Sequence, residues 1–207
     1  MRLNRAALTF SRARAEATVL GMEAFLISTG LVTLAEMGDK TQLLALVLAA
    51  RFRKPWPIVW GILVATLANH AMAGALGAWV TTQLSAQTLR WILALSFFAM
   101  AGWMLIPDKL DPEDADRQPP RLGVFGTTLV LFFLAEMGDK TQIATVMLAA
   151  RYDGYSAVVA GTTLGMMLAN APVVLLGERI TRLLPLRAVH VVSSLVFIGL
   201  GVGALLV

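Results

Sequence analysis

Long stretches of this 207-residue sequence contain no charged side chain. The four longest cover residues 55–89, 91–107, 155–177 and 188–207, and two further apolar stretches are each interrupted by one charged cluster. A helix needs about 20 apolar residues to cross a bilayer, so the chain has room for six crossings. Only 14% of its residues are charged, against about 25% in soluble proteins. The sequence therefore predicts an all-α integral membrane protein with six transmembrane helices.

One polar interval separates the predicted crossings into two groups of three. We place the crossings at 24–50, 57–81, 90–107, 122–150, 155–178 and 187–206. The interval 108–121 is acidic and contains proline, so it cannot enter hydrocarbon and is expected to form a cytoplasmic loop. The chain has no cysteine, which excludes disulfides, thiolate metal sites and cysteine nucleophiles.

The two groups share a repeated sequence. The nine residues LAEMGDKTQ at 34–42 recur without change at 134–142, and Leu-Ala-Ala-Arg at 48–51 recurs at 148–151. We therefore divide the chain into a first repeat, 22–107, and a second repeat, 122–207, joined by the loop 108–121. Three crossings are an odd number, so the second repeat must enter the membrane upside down. This 3+3 inverted repeat is typical of secondary transporters.

Basic residues in the predicted loops indicate the orientation. Nine lie on one side, and only Arg90 and Arg151 lie on the other; the nine are Arg51, Arg53, Lys54, Lys109, Arg117, Arg121, Arg179, Arg182 and Arg187. The positive-inside rule places the nine in the cytoplasm and both termini outside. The four arginines at 2, 5, 12 and 14 favour the opposite orientation. We interpret residues 1–21 as an N-terminal extension that is not native, with translation starting at Met22.

The repeated motif carries the only charged clusters inside predicted crossings. Glu36 and Asp39 are three residues apart and would share one face of a helix, as would Glu136 and Asp139. A charge near the bilayer centre costs about 2.5–3.5 kcal/mol, so we expect these side chains to face the bundle interior. An alternative is a local ion pair between each Glu and the Lys four residues later.

The charge of the motif favours a divalent cation. One Glu and one Asp minus one Lys leave −1 per motif and −2 for both, which one divalent cation or two protons would balance. If Lys40 and Lys140 extend away from the site, the charge becomes −4. The neighbouring donors are oxygens, which suit Mn²⁺, Ca²⁺ or Mg²⁺ better than zinc or copper. The candidate metal ligands are Glu36, Asp39, Glu136, Asp139, Gln42, Gln142, Asn69 and Asn170, supported by Lys40, Thr41, Lys140, Thr141, Gly38 and Gly138.

Two glycines lie inside the repeated motif, and the chain has two histidines. Gly38 and Gly138 weaken a helix by about 1 kcal/mol relative to Ala, so we expect either a local break or a close helix contact there. A break would free backbone carbonyls for a cation. His70 and His190 have no counterpart in the other repeat, and we interpret both as structural.

The duplicated Glu-x-Gly-Asp-Lys-Thr at 36–41 and 136–141 resembles the family of bacterial manganese exporters and Golgi calcium/manganese–proton antiporters. The resemblance covers residues 22–207. It implies exchange of a divalent cation, Mn²⁺ or Ca²⁺, for protons, with no cofactor and with the two motifs forming the ion path. For a minimal chain it implies manganese export across the bacterial inner membrane. Its partners would be the cation and the lipid bilayer, with a homodimer as a candidate assembly.

Other functions are weighed against this interpretation. Nucleic-acid binding is excluded because the basic residues lie singly between apolar runs. An intramembrane aspartic protease using Asp39 and Asp139 needs unequal surroundings, whereas here the surroundings are duplicated. An exporter of organic solutes such as amino acids expects an apolar pocket beside the charges. A passive divalent-cation channel differs only in lacking proton coupling. We expect alternating access, in which the repeats rock about a midplane site.

Overall fold

The computed structural model describes residues 2–106, 122–177 and 185–206, with side chains from residue 18 onward. These ranges form helices joined by short turns and contain no strand. The helices are α1 (Arg2–Glu36), α2 (Lys40–Phe52), α3 (Pro55–Gln83), α4 (Ala86–Trp103), α5 (Gly123–Glu136), α6 (Lys140–Arg151), α7 (Tyr155–Leu176) and α8 (Leu186–Leu206). The predicted loop 108–121 lies outside the described residues.

Among the described residues, four helices are long and apolar enough to cross a membrane. They are Thr18–Glu36 within α1, Pro55–Gln83, Tyr155–Leu176 and Leu186–Leu206, and Gly123–Glu136 is a shorter apolar helix. Helices α3, α4, α7 and α8 each lie within a few residues of a predicted crossing. Helix α1 begins at Arg2 and so continues through the boundary proposed at Met22, which stays a prediction.

Each of the stretches 24–50 and 122–150, placed as one crossing from the sequence, consists of two helices separated inside the repeated motif. Helix α1 ends at Glu36 and α2 begins at Lys40, and α5 and α6 are separated in the same way. Gly38 has φ +85° and Gly138 has φ +79°, a conformation that favours glycine and ends a helix. The predicted local break is therefore confirmed at both glycines.

This break also corrects the expected relation between the carboxylates. Glu36 and Asp39 do not lie on one helical face, because Glu36 is the last residue of α1 and Asp39 is the N-cap of α2. Glu136 and Asp139 have the same relation at the end of α5 and the start of α6. Helical spacing could not predict their geometry, since it assumes a continuous helix.

The first long helix of the chain packs against a helix of the second repeat. A Cβ added at Gly161 of α7 would lie 2.5 Å from the carbonyl oxygen of Phe25, and one at Gly165 would lie 2.7 Å from that of Thr29. Both contacts advance in the same direction along the two helices, so α1 and α7 run parallel. The absence of side chains at these glycines lets the helix backbones approach closely.

Helices α3 and α5 repeat this arrangement. A Cβ at Gly61 of α3 would lie 2.7 Å from Cβ of Thr128, and the amide of Asn69 donates to the carbonyl oxygen of Phe133 at 3.0 Å. These contacts also advance together, so α3 and α5 run parallel. Each repeat therefore places its first helix against the third helix of the other.

Two further pairs join equivalent helices of the repeats. The Tyr155 hydroxyl at the start of α7 donates to the carbonyl oxygen of Ala71 in α3 at 3.1 Å. Ile62, earlier in α3, shares a core cluster with Val174, near the end of α7, so these helices run antiparallel. Phe97 of α4 and Phe197 of α8 are equivalent in the repeat, and their ring centroids are 6.3 Å apart. The breaks in α1/α2 and α5/α6 thus lie in one bundle.

Candidate ion-binding site

Glu36 ends helix α1 as a fully buried carboxylate. Its Oε2 accepts a hydrogen bond from the Thr41 hydroxyl at 2.6 Å and a longer one from the Asn170 amide at 3.5 Å. Its Oε1 is buried and has no hydrogen-bond partner among the described residues. One carboxylate oxygen is thus fixed, and the other is available to a proton or a cation.

Glu136 has the equivalent position at the end of α5 and the same bond to a threonine, but Asn69 donates to Phe133 and not to it. It is fully buried, and its Oε2 accepts from the Thr141 hydroxyl at 3.0 Å. Its Oε1, like that of Glu36, lacks a hydrogen-bond partner within the described ranges. The duplication in sequence is therefore also a duplication of the threonine hydrogen bond.

The two glutamates belong to one electrostatic neighbourhood. Glu136 interacts with the charge of Glu36, and the Thr141 hydroxyl of the second repeat reaches the Glu36 carboxylate as well as that of Glu136. Asp139 adds a further negative charge close to both. The carboxylates of the first and second motifs are therefore close enough to influence one another.

Gln42 and Gln142 stabilise the helix breaks. The Gln42 side-chain oxygen accepts from the backbone N–H of Gly38 at 3.1 Å, and that of Gln142 accepts from Gly138 at 2.7 Å. Their Nε2 atoms donate to the other repeat, from Gln42 to the Ala169 carbonyl oxygen at 3.1 Å and from Gln142 to Asn69 Oδ1 at 3.5 Å. In this structure the amides hold the turns and join the repeats.

The two predicted asparagines lie at the site but differ in hydrogen bonding. Asn69 is fully buried, and its Oδ1 accepts from Gln142. The Asn170 amide donates to Glu36 and to the carbonyl oxygen of Met166 at 3.2 Å. Its Oδ1 is buried without a hydrogen-bond partner in the described part of the chain. Asn170 therefore adds a third available oxygen.

An ion pair crosses between the repeats. Lys40 Nζ lies 3.4 Å from Asp139 Oδ2, and the other oxygen of Asp139 accepts from the backbone N–H of Lys140 at 2.8 Å. Lys40 thus pairs with Asp139 instead of forming the local pair with Glu36. This pairing was not foreseen, because it depends on how the two repeats meet.

Lys140 is placed differently from its counterpart. Its side chain is buried, its Nζ donates to the carbonyl oxygen of Ile106 at 3.1 Å, and it lies 5.8 Å from the centroid of the Trp103 ring. Lys140 therefore contacts the end of α4, whereas Lys40 contacts the second motif. The two lysines are equivalent in sequence but not in structure.

The two breaks also differ in what covers them. A Cβ at Gly38 would lie 2.9 Å from Cδ2 of Leu186, the first residue of α8. A Cβ at Gly138 would meet no described residue within 4 Å, and the neighbouring Met137 is 52% exposed. Among the described residues, α8 thus covers the first break and no helix covers the second.

Helix α3 brings two further buried polar side chains that the sequence did not assign to the site. Thr66 and His70 are fully buried, and neither the Thr66 hydroxyl nor the His70 ring has a hydrogen-bond partner among the described residues. Thr66 lies three residues before Asn69, so the spacing places these two on one helix face, whereas His70 follows Asn69 directly and lies on a different face. His70 was interpreted as structural or interfacial, and it is fully buried in α3.

The acidic side chains of the two motifs do not converge into one compact cluster. In the described ranges no group of three or more Asp, Glu or His side chains is close enough to hold a metal ion. The available donors at the break are instead the two glutamate Oε1 atoms and the Asn170 oxygen. Hydroxyl and amide groups that bond these carboxylates set their orientation.

Known proteins resemble this chain in sequence. The family model described as "Divalent cation/proton antiporter GDT1" matches residues 24–112 and 124–207. A "Putative manganese exporter" of Vibrio cholerae serotype O1 is 52% identical over 178 residues, covering 86% of this chain and 88% of the relative. The GDT1-like protein sll0615 of Synechocystis is 28% identical, covering 85% of this chain and 93% of the relative.

A plant relative is more distant, and solved structures add nothing. GDT1-like protein 3 of Arabidopsis thaliana is 24% identical, covering 88% of this chain and 70% of the relative. No solved structure matches the chain significantly. The resemblance seen in the duplicated motif is confirmed, and the chain is a membrane transporter protein by family. The chain belongs to the divalent cation/proton antiporter GDT1 family.

Proposed function

We propose that this protein exchanges a divalent cation for protons and exports Mn²⁺ from the cytoplasm, with Ca²⁺ as the second candidate cation. The observation that carries the proposal is the pair of buried glutamates. In each, one carboxylate oxygen is held by a threonine and the other has no hydrogen-bond partner among the described residues. The Vibrio relative named as a manganese exporter supports Mn²⁺ as the substrate.

The charge of the pair explains why the two substrates would compete. A buried carboxylate is costly unless its charge is neutralised, and Glu36 and Glu136 are both fully buried. Two protons or one divalent cation supply the same charge. Because both cannot occupy the carboxylates together, binding of one releases the other. This exclusion is the basis of exchange.

The proposed ligand set consists of oxygens. Glu36, Glu136 and Asn170 offer buried oxygens, and Asp39 and Asp139 lie at the N-caps beside them. Gln42, Gln142 and Asn69 hold the turns in this conformation and are proposed to join the coordination as the turns move. Such a donor set suits a hard cation.

The directions of the helices support a six-crossing inverted repeat. Helix α1 runs parallel to α7, α3 runs parallel to α5, and α3 and α7 run antiparallel. It follows that α1 and α5, which carry equivalent sequences, run in opposite directions. We propose that α1 with α2, and α5 with α6, each form one broken crossing in a bacterial inner membrane, with both termini outside.

The unequal covering of the two breaks supports alternating access. Leu186 covers Gly38, whereas none of the residues that the structure describes covers Gly138. In an inverted repeat the opposite arrangement, with the first break open and the second covered, would face the other side of the membrane. We propose that the site passes between these two arrangements, with metal bound from the cytoplasm and protons from outside displacing it.

Exchange can be tested in liposomes that contain the purified protein and an internal pH dye. Addition of Mn²⁺ outside should make the interior more alkaline as the metal enters and protons leave. Ca²⁺ and Mg²⁺, added in turn, rank the cations. Glu36→Gln and Glu136→Gln should each lower the initial rate at least about tenfold, because each removes a charged ligand. Near-normal exchange by either variant would contradict the proposal.

The matched control is Glu23→Gln on the same helix as Glu36. Glu23 is exposed, so its loss should leave the exchange rate unchanged. Metal entry without proton movement would establish a passive channel instead. The absence of any metal response in active wild-type liposomes would favour an exporter of organic solutes.

A further inference from the structure

Two arginines from opposite repeats line one pocket away from the ion site. Arg90 of α4 and Arg151 of α6 lie at a cavity of about 190 Å³, which Ala204 near the end of α8 also lines. They are the two basic residues predicted to lie on the membrane side opposite to the other nine. The fold brings them together at the point where α4 begins and where α6 and α8 end.

The guanidinium groups have hydrogen-bonding capacity left over. Arg90 donates to the Gln87 side chain at 3.0 Å, and Arg151 donates to the Gly203 carbonyl oxygen at 3.3 Å. The Nε atoms of both are buried without a hydrogen-bond partner among the described residues. Neither guanidinium group forms an ion pair with a carboxylate of the described residues.

An anion would satisfy these groups. Both arginines are half-buried, and a buried Nε without a hydrogen-bond partner is costly. Guanidinium donors match the oxygens of a phosphate in geometry and charge. The pocket also includes Ala86, the first residue of α4. The positive end of a helix dipole adds to the attraction of an anion there.

A second, apolar cavity continues from the arginine pocket. It has a volume of about 340 Å³ and shares Leu89, Leu93 and Ala150 with the first. Its other lining residues come from α3, α4 and α6, and Ile92 and Ile143 among them are exposed on the bundle surface. A phosphate pocket that leads into an apolar surface groove has the two parts of a phospholipid-binding site.

We propose that this composite site binds one anionic phospholipid, with its phosphate between Arg90 and Arg151 and an acyl chain in the apolar groove. The lipid contacts helices of both repeats. Neither Glu36 nor Glu136 lines the two cavities. A phospholipid headgroup and free phosphate both present the oxyanion that the arginines would bind. The adjoining apolar groove favours the lipid, because only the lipid has an acyl chain to fill it.

Native mass spectrometry of the full-length protein in detergent tests the proposal. The protein is titrated with phosphatidylglycerol and, separately, with phosphatidylcholine of the same acyl chains. We expect one phosphatidylglycerol to be retained per chain and to bind more tightly than phosphatidylcholine. Arg90→Gln/Arg151→Gln should weaken phosphatidylglycerol binding at least about tenfold, because it removes charge-assisted hydrogen bonds.

Arg51→Gln is the matched control. Arg51 is the repeat counterpart of Arg151 but is exposed and lines neither cavity, so its loss should leave lipid binding unchanged. Arg90→Lys/Arg151→Lys keeps the charge and should bind with intermediate affinity. Equal wild-type affinity for the two lipids, or equal loss in Arg51→Gln, would overturn the proposal. Displacement of the lipid by millimolar inorganic phosphate would assign the pocket to the free anion and overturn the proposal of a lipid site.

Discussion

Lys40 and Asp139 connect the two repeated motifs through one partly buried ion pair. We expect Lys40→Met and Asp139→Asn each to lower the stability of the protein, because each leaves the partner charge without its counterpart. Asparagine is a good N-cap, so Asp139→Asn tests the charge and not the cap. The double variant should recover part of the loss, with a coupling energy of about 1–3 kcal/mol.

Thermal unfolding of the purified variants in detergent measures this coupling. Lys54→Met, at an exposed lysine, serves as the control and should have little effect. Additive losses in the double variant would show that the pair contributes no specific attraction.

Thr141 and Thr41 differ in how many carboxylates they serve. Thr141 bonds Glu136 and also reaches Glu36, whereas Thr41 bonds Glu36. We therefore expect Thr141→Val to raise the Mn²⁺ concentration for half-maximal proton release about tenfold, and Thr41→Val to raise it less. Thr141→Ser keeps the hydroxyl and should behave as wild type. If Thr141→Ser and Thr141→Val were equally impaired, the methyl group and not the hydrogen bond would matter.

The helix breaks at Gly38 and Gly138 can be compared by replacing each glycine with alanine. Alanine at Gly38 or Gly138 must adopt a positive φ, which costs about 1 kcal/mol. Gly38→Ala also brings its Cβ against Leu186, so it should impair exchange and stability more than Gly138→Ala. Adding Leu186→Ala should recover part of the loss in Gly38→Ala and none in Gly138→Ala. Liposome exchange rates and unfolding temperatures of the four variants decide this.

The contact between α1 and α7 gives a second comparison of elements. Gly165→Ala would place a Cβ 2.7 Å from the Thr29 carbonyl oxygen, so the two helices must separate. We expect a loss of about 1–3 kcal/mol in stability, as for other overpacked sites. Gly30→Ala on α1 meets nothing within 4 Å and should be neutral or stabilising, because alanine favours a helix. Equal unfolding temperatures for the two variants would contradict close packing at Gly165.

The sequence predicts helices better than it predicts their partners. Four helices lie close to predicted crossings, because long charge-free runs have few alternatives in a bilayer. The breaks at Gly38 and Gly138 interrupt only a few residues, so the distribution of apolar residues does not reveal where each helix ends. The duplicated motif identified both buried glutamates, but it could not reveal that Gln42 holds a turn or that Lys40 pairs with Asp139. Those contacts depend on packing between distant parts of the chain.

The proposed orientation is testable on the whole molecule because the sequence contains no cysteine. Single cysteines at exposed Gln83 and Asp153 should react with a membrane-impermeant thiol reagent in intact cells, since both follow crossings that end outside. Lys54→Cys, at the opposite end of α3, should react only after the cells are permeabilised. The reverse pattern would invert the topology and place both termini in the cytoplasm.

The exchange of helix partners between repeats has a consequence for how such a protein arose. Helix α1 packs against α7, and α5 packs against α3, so neither half contains the partner of its own first helix. An ancestral gene that encoded one half would have produced a chain with two uncovered helix faces. Such a chain becomes complete only by pairing with a copy inserted in the opposite orientation. Fusion of two such genes would then preserve an interface that had already existed between separate molecules.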